Sequence, residues 1–438
     1  MNYEKWLERK GLRYLNGELL FDEVNVNELI KEYDTPVYVV SERIIRERYR
    51  ELKSLINSYY KKNSIHFAIK ANSNLSILKI LHSEGSSFDC SSVGEIHACL
   101  KVNINPNKII YTGNMFTNDD LEFAVKNGVI INLDSLSQLY RLNKIYDKLN
   151  EDKDLISFRI NPEFGAGHHS HTITAGKDVK FGLLKEQVIR AYSLAKKFGF
   201  KRFGIHQHIG SGILDVRDFE LATREFLDII ENLVDKLSIE FEFIDIGGGL
   251  GIPYKPEEKP LDLKLYGKLI INFINERIKK LGIFEPELKI EPGRFLCAES
   301  SVILTRINTI KFNGHKYFAG VDAGFNTLIR PAFYGAYHHI IPCNIKIDAE
   351  KVKYNVVGPI CESGDVFGKE RELQKLEEGD LLAILDAGAY GFTMSSNYNS
   401  RPRPAEILIK NGKAYQIREA ETLEDLFRFQ KIPKYLLK

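Results

Sequence analysis

The stretch "SIHFAIK" at residues 64–70, followed at once by "ANSN", sets the reading of the whole chain. Ile65, Phe67 and Ile69 alternate with His66, Ala68 and Lys70, the period-two pattern of a half-buried strand. Lys70 thus stands at the end of an apolar run, on the face of small Ala68, just before a polar turn. A lysine so placed is usually a solvated cap, and its meaning depends on what ends the neighbouring strands. Seven further apolar runs follow: "SFDCSS" (87–92), "KIIYTG" (108–113), "VIINLD" (129–134), "LISFRINP" (155–162), "FGIHQHIG" (203–210), "FEFIDIGGG" (241–249) and "ELKIEPG" (287–293). The segments between them carry helical periodicity. In 215–236, Phe219, Ala222, Phe226, Ile229 and Leu233 recur at steps of three and four behind the capping Asp215.

Eight strand–helix repeats predict a (β/α)8 barrel, the TIM-barrel class of α/β fold. Two packed doubly wound sheets would alternate in the same way. The strand ends favour the barrel: Lys70, Asp89, Thr112, Asp134, Arg159, His208, the glycine run 247–249 and Glu291 are all polar or glycine. A barrel gathers such ends at one mouth, where catalytic groups collect. Beyond about residue 311 the pattern changes, and strands follow one another without long helices. "AEILIKNGKAYQIRE" reads as a hairpin turning at Asn411-Gly412, and near the start "RYLNGELLF" reads as another turning at Asn16-Gly17. The expectation is a barrel over residues 42–310 and a β domain, a sandwich or Greek-key barrel, built from 1–41 and 311–438 together.

Lys and Arg number 61 against 59 Asp and Glu, a formal net charge of +2, with both signs scattered. That balance speaks against a nucleic-acid or membrane-surface partner held by charge. No apolar run approaches the span of a bilayer, and "MNYEKWLERKGLRY" lacks the apolar core of a signal peptide. The five cysteines, Cys90, Cys99, Cys297, Cys343 and Cys361, are odd in number and form no CxxC pair. They predict a reduced, cytoplasmic protein without a disulfide framework or zinc site.

The chemistry-bearing motifs lie at the proposed mouth. "DIGGGLG" (245–251) ends a strand in three glycines, whose backbone N–H groups can close around a phosphate. It lacks the spacing and context of the dinucleotide fingerprint. "IEPGR" (290–294) sets Glu291 at the end of the eighth strand, with Gly293 and Arg294 beyond; a surface turn with an ion pair would read the same. "HQHIGS" (206–211) puts His206 and His208 on one strand face, with no acidic or cysteine partner at ligand spacing for zinc. An amine, a phosphate cradle, a carboxylate and a flat stacking side chain at one mouth are what pyridoxal phosphate requires.

With these motifs assembled, the sequence resembles the barrel-fold pyridoxal-phosphate decarboxylases over essentially its whole length. "FAIKANSN", "FDCSSVGEI", "HQHIGS", "IDIGGGLGIPY", "EPGRFLCAES", "VDAGFNTLIRPAFYGAYH", "GPICESGD" and "DAGAYGFTMSSNYNSRPRPAEIL" carry the likeness. The resemblance implies that Lys70 forms the Schiff base with the cofactor and His208 stacks on its ring. Ser211, Gly249 and the Gly293-Arg294 backbone would hold the phosphate, and Glu291 would pair with the pyridine nitrogen. Arg294, Arg330 and Tyr334 would bind substrate, Glu362 its distal amino group, and Tyr390 both substrate and cofactor. Cys361 would donate the proton, reaching in from the partner subunit of a homodimer whose active sites lie at the interface.

A carboxylate at the ring nitrogen favours the protonated pyridinium, which draws in electrons when carbon dioxide leaves. Barrel racemases use an arginine there, so Glu291 points to decarboxylation. Arg294 and Arg330 suit a carboxylate that survives the reaction, and Glu362 an ammonium beside it. The implied reaction converts meso-2,6-diaminopimelate to L-lysine and carbon dioxide, the last step of lysine biosynthesis. Related decarboxylation of ornithine, arginine or carboxynorspermidine, alanine racemisation, and a silent pyridoxal-phosphate binder are the alternatives. In 165–182, His168, His169 and His171 look like a metal triad, but the glycine-rich setting after strand five predicts a lid, and no metal is expected. Asp89 and Arg159 are expected behind the reacting groups.

Overall fold

The computed structural model describes residues 3–437 except 163, 164, 166, 168–173, 177 and 178. His168, His169 and His171, expected in a lid, therefore lie outside the described residues. The chain divides into two compact units: one of Ile45–Pro253 and Glu258–Cys297, the other of Met1–Ile44, Tyr254–Glu257 and Ala298–Lys438. The boundary expected at 310 falls inside one continuous strand, Ser301–Phe312, which belongs wholly to the second unit.

The first unit is a closed parallel barrel of eight strands. In order these are Asn63–Ala68, Ser87–Cys90, Ile109–Thr112, Ile130–Leu133, Leu155–Ile160, Arg202–Gln207, Phe241–Asp245 and Glu287–Ile290, and the last pairs with the first. All eight coincide with the apolar runs read from the sequence, and helix Val216–Leu237 begins behind Asp215, whose side chain accepts from Arg217 N–H. The first strand is not half-buried, however. Ile65, His66, Phe67 and Ala68 are all buried, because a barrel strand has helices on one side and a filled interior on the other. The strands also stop earlier than the apolar runs. Lys70 lies in a 3-10 turn, Ile69–Ala71, and Asp134, His208, the glycine run and Glu291 lie just past their strands. Their backbones leave the ladder for other partners: Glu291 N–H donates to Gly247 O at 2.9 Å.

Close packing inside the barrel shows at Gly204. A Cβ there would lie 2.2 Å from the Phe243 ring on the neighbouring strand, so the ring occupies the space that any side chain would need.

The second unit is β-rich. Its larger sheet has nine strands, and Val37–Ser41 sits in the middle, antiparallel to Ser301–Phe312 and parallel to Ala405–Lys410. The N-terminal segment therefore contributes to the β domain, as expected. Both hairpins turn where the sequence indicated. Leu15 pairs with Glu18 and Lys410 with Lys413, and Asn16, Gly17, Asn411 and Gly412 all have positive φ. Lys10 is buried in this unit between Glu299 (3.1 Å) and Asp386 (2.6 Å), 4.5 Å above the Trp6 ring. Among the described residues no helix is long and apolar enough to cross a membrane.

The Gly204 contact predicts that Gly204→Ala lowers stability by about 1–3 kcal/mol through overpacking. Urea or thermal unfolding checks it, and an unchanged midpoint would contradict a rigid Phe243.

Candidate functional site

The barrel register assembles the first group of site residues. Ala68 pairs with Asp89, and His206 with Asp245, so these side chains share the interior face. Two residues beyond Ala68, Lys70 Nζ donates to Asp89 Oδ2 at 2.9 Å. The ion pair does not keep Asp89 in the ordinary range. Burial, then the negative Glu291, push its pKa up to about 6 against the pull of Lys70.

His206 Nε2 donates to Glu291 Oε2 at 3.0 Å, and both side chains are buried. Burial alone would raise the Glu291 pKa, but His206 and Lys70 outweigh it and hold the carboxylate below its usual range. Its other oxygen, Oε1, is buried without a hydrogen-bond partner. Asp245 goes the opposite way: burial and Glu291 raise it well above the ordinary value, while Oδ1 accepts from Gly247 N–H at 2.8 Å. His206, Asp245 and Glu291 bring ligand atoms within 4.8 Å of one another. The sequence reading found no acidic partner for His206, because both acids arrive from other strands. Each uses one oxygen within the cluster's surroundings, Glu291 Oε2 with the imidazole and Asp245 Oδ1 with the Gly247 N–H.

His208 is fixed on two sides. Its Nδ1 accepts from Gly248 N–H at 3.0 Å, and its carbonyl accepts from Arg159 Nη2 and Thr174 Oγ1 at 3.3 and 3.2 Å. Burial, then Arg159, lower its pKa well below the ordinary value, so the ring is neutral. The glycine run is required by close approach. A Cβ on Gly247 would lie 2.4 Å from Gln207 O, and one on Gly248 2.1 Å from Glu291 O. Gly249 has φ 103°, and its carbonyl accepts from Ile213 N–H. Arg294 opens the short helix after Gly293, and its Nη2 donates to Ser211 Oγ at 3.1 Å. The barrel unit thus unites Lys70, His208, Ser211, Gly249, Glu291, Gly293 and Arg294.

These residues fit pyridoxal phosphate. An amine, a neutral ring held at its edge, and an ionised carboxylate with a vacant buried acceptor match the aldehyde, face and nitrogen of a pyridine.

The β-rich unit carries the other expected residues. Arg330 begins the helix Arg330–Tyr334 and is buried. Its Nε donates to His338 Nε2 at 3.3 Å, while His338 Nδ1 donates to Leu385 O at 2.8 Å, which fixes the imidazole tautomer. The guanidinium also lies 5.4 Å from the Tyr254 ring and 6.0 Å from Tyr334. Tyr390 follows the strand Leu381–Ile384 and has φ 56°. Cys361 and Glu362 occupy an exposed loop whose base is held by Asp365: Oδ2 accepts from Ile360 N–H at 2.8 Å and Oδ1 from Phe325 N–H at 2.7 Å. Sequence reasoning missed His206 as the partner of Glu291, His338 behind Arg330, and Asp365. Only the "AYHH" doublet and the acid closing "ESGD" hinted at the last two.

A family model described as "Pyridoxal-dependent decarboxylase, pyridoxal binding domain" matches residues 42–298. A diaminopimelate decarboxylase of Methanothermobacter thermautotrophicus is 48% identical over 422 residues, 96% of this chain and 97% of that protein. One from Archaeoglobus fulgidus is 39% identical over 424 residues, covering 96% and 99%. The crystal structure of diaminopimelate decarboxylase from Methanocaldococcus jannaschii superposes with a TM-score of 0.91 at 35% identity, covering 98% of this chain and 100% of that one. The Helicobacter pylori enzyme complexed with L-lysine gives 0.85 at 36% identity, covering 93% and 99%.

The raised pKa of Asp89 has a measurable sign. An unfolded aspartate titrates near about 4, so between about pH 4 and 6 the folded chain binds a proton there that the unfolded chain lacks. Stability from this group falls as pH rises through that window. Urea unfolding of the cofactor-free chain should show wild type losing stability relative to Asp89→Asn between about pH 4 and about pH 7; a constant difference would contradict the shift.

Proposed function

This chain belongs to the pyridoxal-dependent decarboxylases, and from that membership we propose that it converts meso-2,6-diaminopimelate to L-lysine and carbon dioxide, the last step of lysine biosynthesis. The named relatives support the substrate, and the observation that carries the chemistry is the buried, ionised Glu291 with its open Oε1. When bound, pyridoxal phosphate supplies an electron sink for the pair left on Cα as the carboxylate departs.

In this reading Lys70 is the residue that would hold the cofactor covalently, through its side-chain amine. Asp89 keeps that amine directed. Glu291 would accept a hydrogen bond from the pyridine nitrogen and favour its protonated form. His206 occupies the other oxygen and so leaves Oε1 to make that contact. His208 would lie against the ring, and Ser211, Gly249, Gly293 and Arg294 would hold the phosphate.

Arg294, Arg330 and Tyr334 bind the carboxylate that remains in lysine, Glu362 binds the ammonium beside it, and Tyr390 contacts substrate and cofactor. Arg330 arrives oriented, because His338 and Tyr254 fix its guanidinium. Cys361 protonates Cα: its S–H bond breaks as the C–H bond forms, and the thiolate recovers a proton from water. The thiol comes from the partner subunit of a homodimer, in a cytoplasmic enzyme.

Carbon dioxide release and lysine formation test the reading directly. kcat/KM on meso-diaminopimelate should exceed that on ornithine or arginine by about 100-fold or more. Preference for another amine, or alanine interconversion without gas, would overturn the substrate assignment, and bound cofactor without turnover would mark a silent binder. Lys70→Ala should lose the absorbance of covalently held cofactor together with turnover. Arg330→Ala should raise KM by about tenfold to 100-fold with little change in cofactor affinity; equal losses of both would assign Arg330 to folding.

A further inference from the structure

The Cys361–Glu362 pair lies on an exposed loop, where side chains ordinarily sample several rotamers. A proton donor and an ammonium acceptor both need a set direction. We propose that the turn Tyr398–Ser400 supplies it, Asn399 orienting the Cys361 thiol and Tyr398 orienting the Glu362 carboxylate. The inference rests on the reading of Cys361 as donor and Glu362 as substrate contact.

One amide reads two atoms of the same residue. Asn399 Oδ1 accepts from Cys361 N–H at 3.1 Å, and Asn399 Nδ2 donates to Cys361 Sγ at 3.3 Å. Gripping the backbone and the sulfur together fixes the thiol's rotamer. The next residue acts on the next residue: Tyr398 OH donates to Glu362 Oε1 at 2.8 Å. Its ring is stacked on Phe325 at 5.6 Å and 21°, and Phe325 N–H is itself held by Asp365. Asn399 and Ser400 have φ 56° and 53°, the left-handed region where a turn with no further duty favours glycine. The base of the turn is tied as well. Asn397 Nδ2 and Arg403 N–H both donate to Glu421 Oε2, at 2.6 and 2.9 Å, and Arg403 Nε donates to Oε1 at 2.7 Å. Tyr398 and Asn399 are therefore positioning residues that act through Glu362 and Cys361.

Two variants of the holoenzyme separate this from a merely structural turn. Asn399→Gly accepts the left-handed backbone but lacks the amide. Its kcat should fall about tenfold to 100-fold with KM within about twofold of wild type. Tyr398→Phe keeps the stack but lacks the hydroxyl, and its KM should rise about tenfold with kcat within about twofold. If both parameters move together in both variants, or neither moves, the proposal is overturned.

Thiol chemistry gives a readout independent of turnover. In the single chain Cys361 is the one exposed cysteine of the five, and in the proposed dimer it faces an active site open to small molecules, so iodoacetamide labelling of the substrate-free holoenzyme, followed by mass spectrometry, resolves it from the four buried thiols. The labelling rate should change by about threefold or more in Asn399→Gly and stay at the wild-type value in Tyr398→Phe. Equal rates in all three proteins overturn the Asn399 assignment. Wild-type kcat in Cys361→Ala would refute the donor reading instead, and the labelling rates would then decide the positioning claim by themselves.

Discussion

Three carboxyl groups, Asp89, Asp245 and Glu291, are buried in one barrel interior, and three like charges cannot be accommodated there together. The arrangement of the site follows from how that conflict is resolved. His206 and Lys70 secure the charge on Glu291. With Glu291 charged, Asp245 is driven towards its neutral form, and Asp89 is raised despite its lysine. Glu291 is thus the one carboxyl of the three held below its usual range, and its oxygen Oε1 has no hydrogen-bond partner. The backbone around Glu291 is closely packed as well. The glycine run packs so tightly on Gln207 and Glu291 that a single methyl group at Gly248 would strike the Glu291 carbonyl.

The β-rich unit solves a different problem. Arg330 is buried, and its orientation comes from a histidine whose own tautomer is set by a backbone carbonyl. Cys361 and Glu362 are exposed and take their order from hydrogen bonds made by a strained turn. Recognition of a carboxylate by a pre-set guanidinium needs rigidity more than access. In the proposed reaction, delivery of a proton from Cys361 needs access as well, and its exposed loop, bound at its base by Asp365, has both.

Much of this was legible in the sequence because it depends on local pattern. The eight apolar runs, the two Asn-Gly turns and the Asp215 cap are read from a few adjacent residues, and each stands where it was expected. The ends of the strands were not legible. Lys70 follows an unbroken alternation in "SIHFAIK" yet sits in a 3-10 turn, because alternation marks which way side chains face and not where the ladder stops. The company of His206 was hidden for a related reason. Asp245 and Glu291 lie 39 and 85 positions further along the chain, and only closure of the barrel brings them near. The expected boundary at 310 failed because a change in composition does not mark where a strand begins.

The position of Val37–Ser41 also constrains how the molecule comes to exist. This strand is made early, but its two neighbours in the sheet, at Ser301–Leu304 and Ala405–Ile409, are separated from it by the whole barrel sequence. A chain growing from its N-terminus must therefore hold a five-residue buried strand unpaired while more than half of the protein is synthesised. The barrel, whose strands pair mostly in sequential order, can close in the meantime. This early-made strand is thus among the last to find its place, and premature termination before residue 405 would leave one of its edges open to other chains.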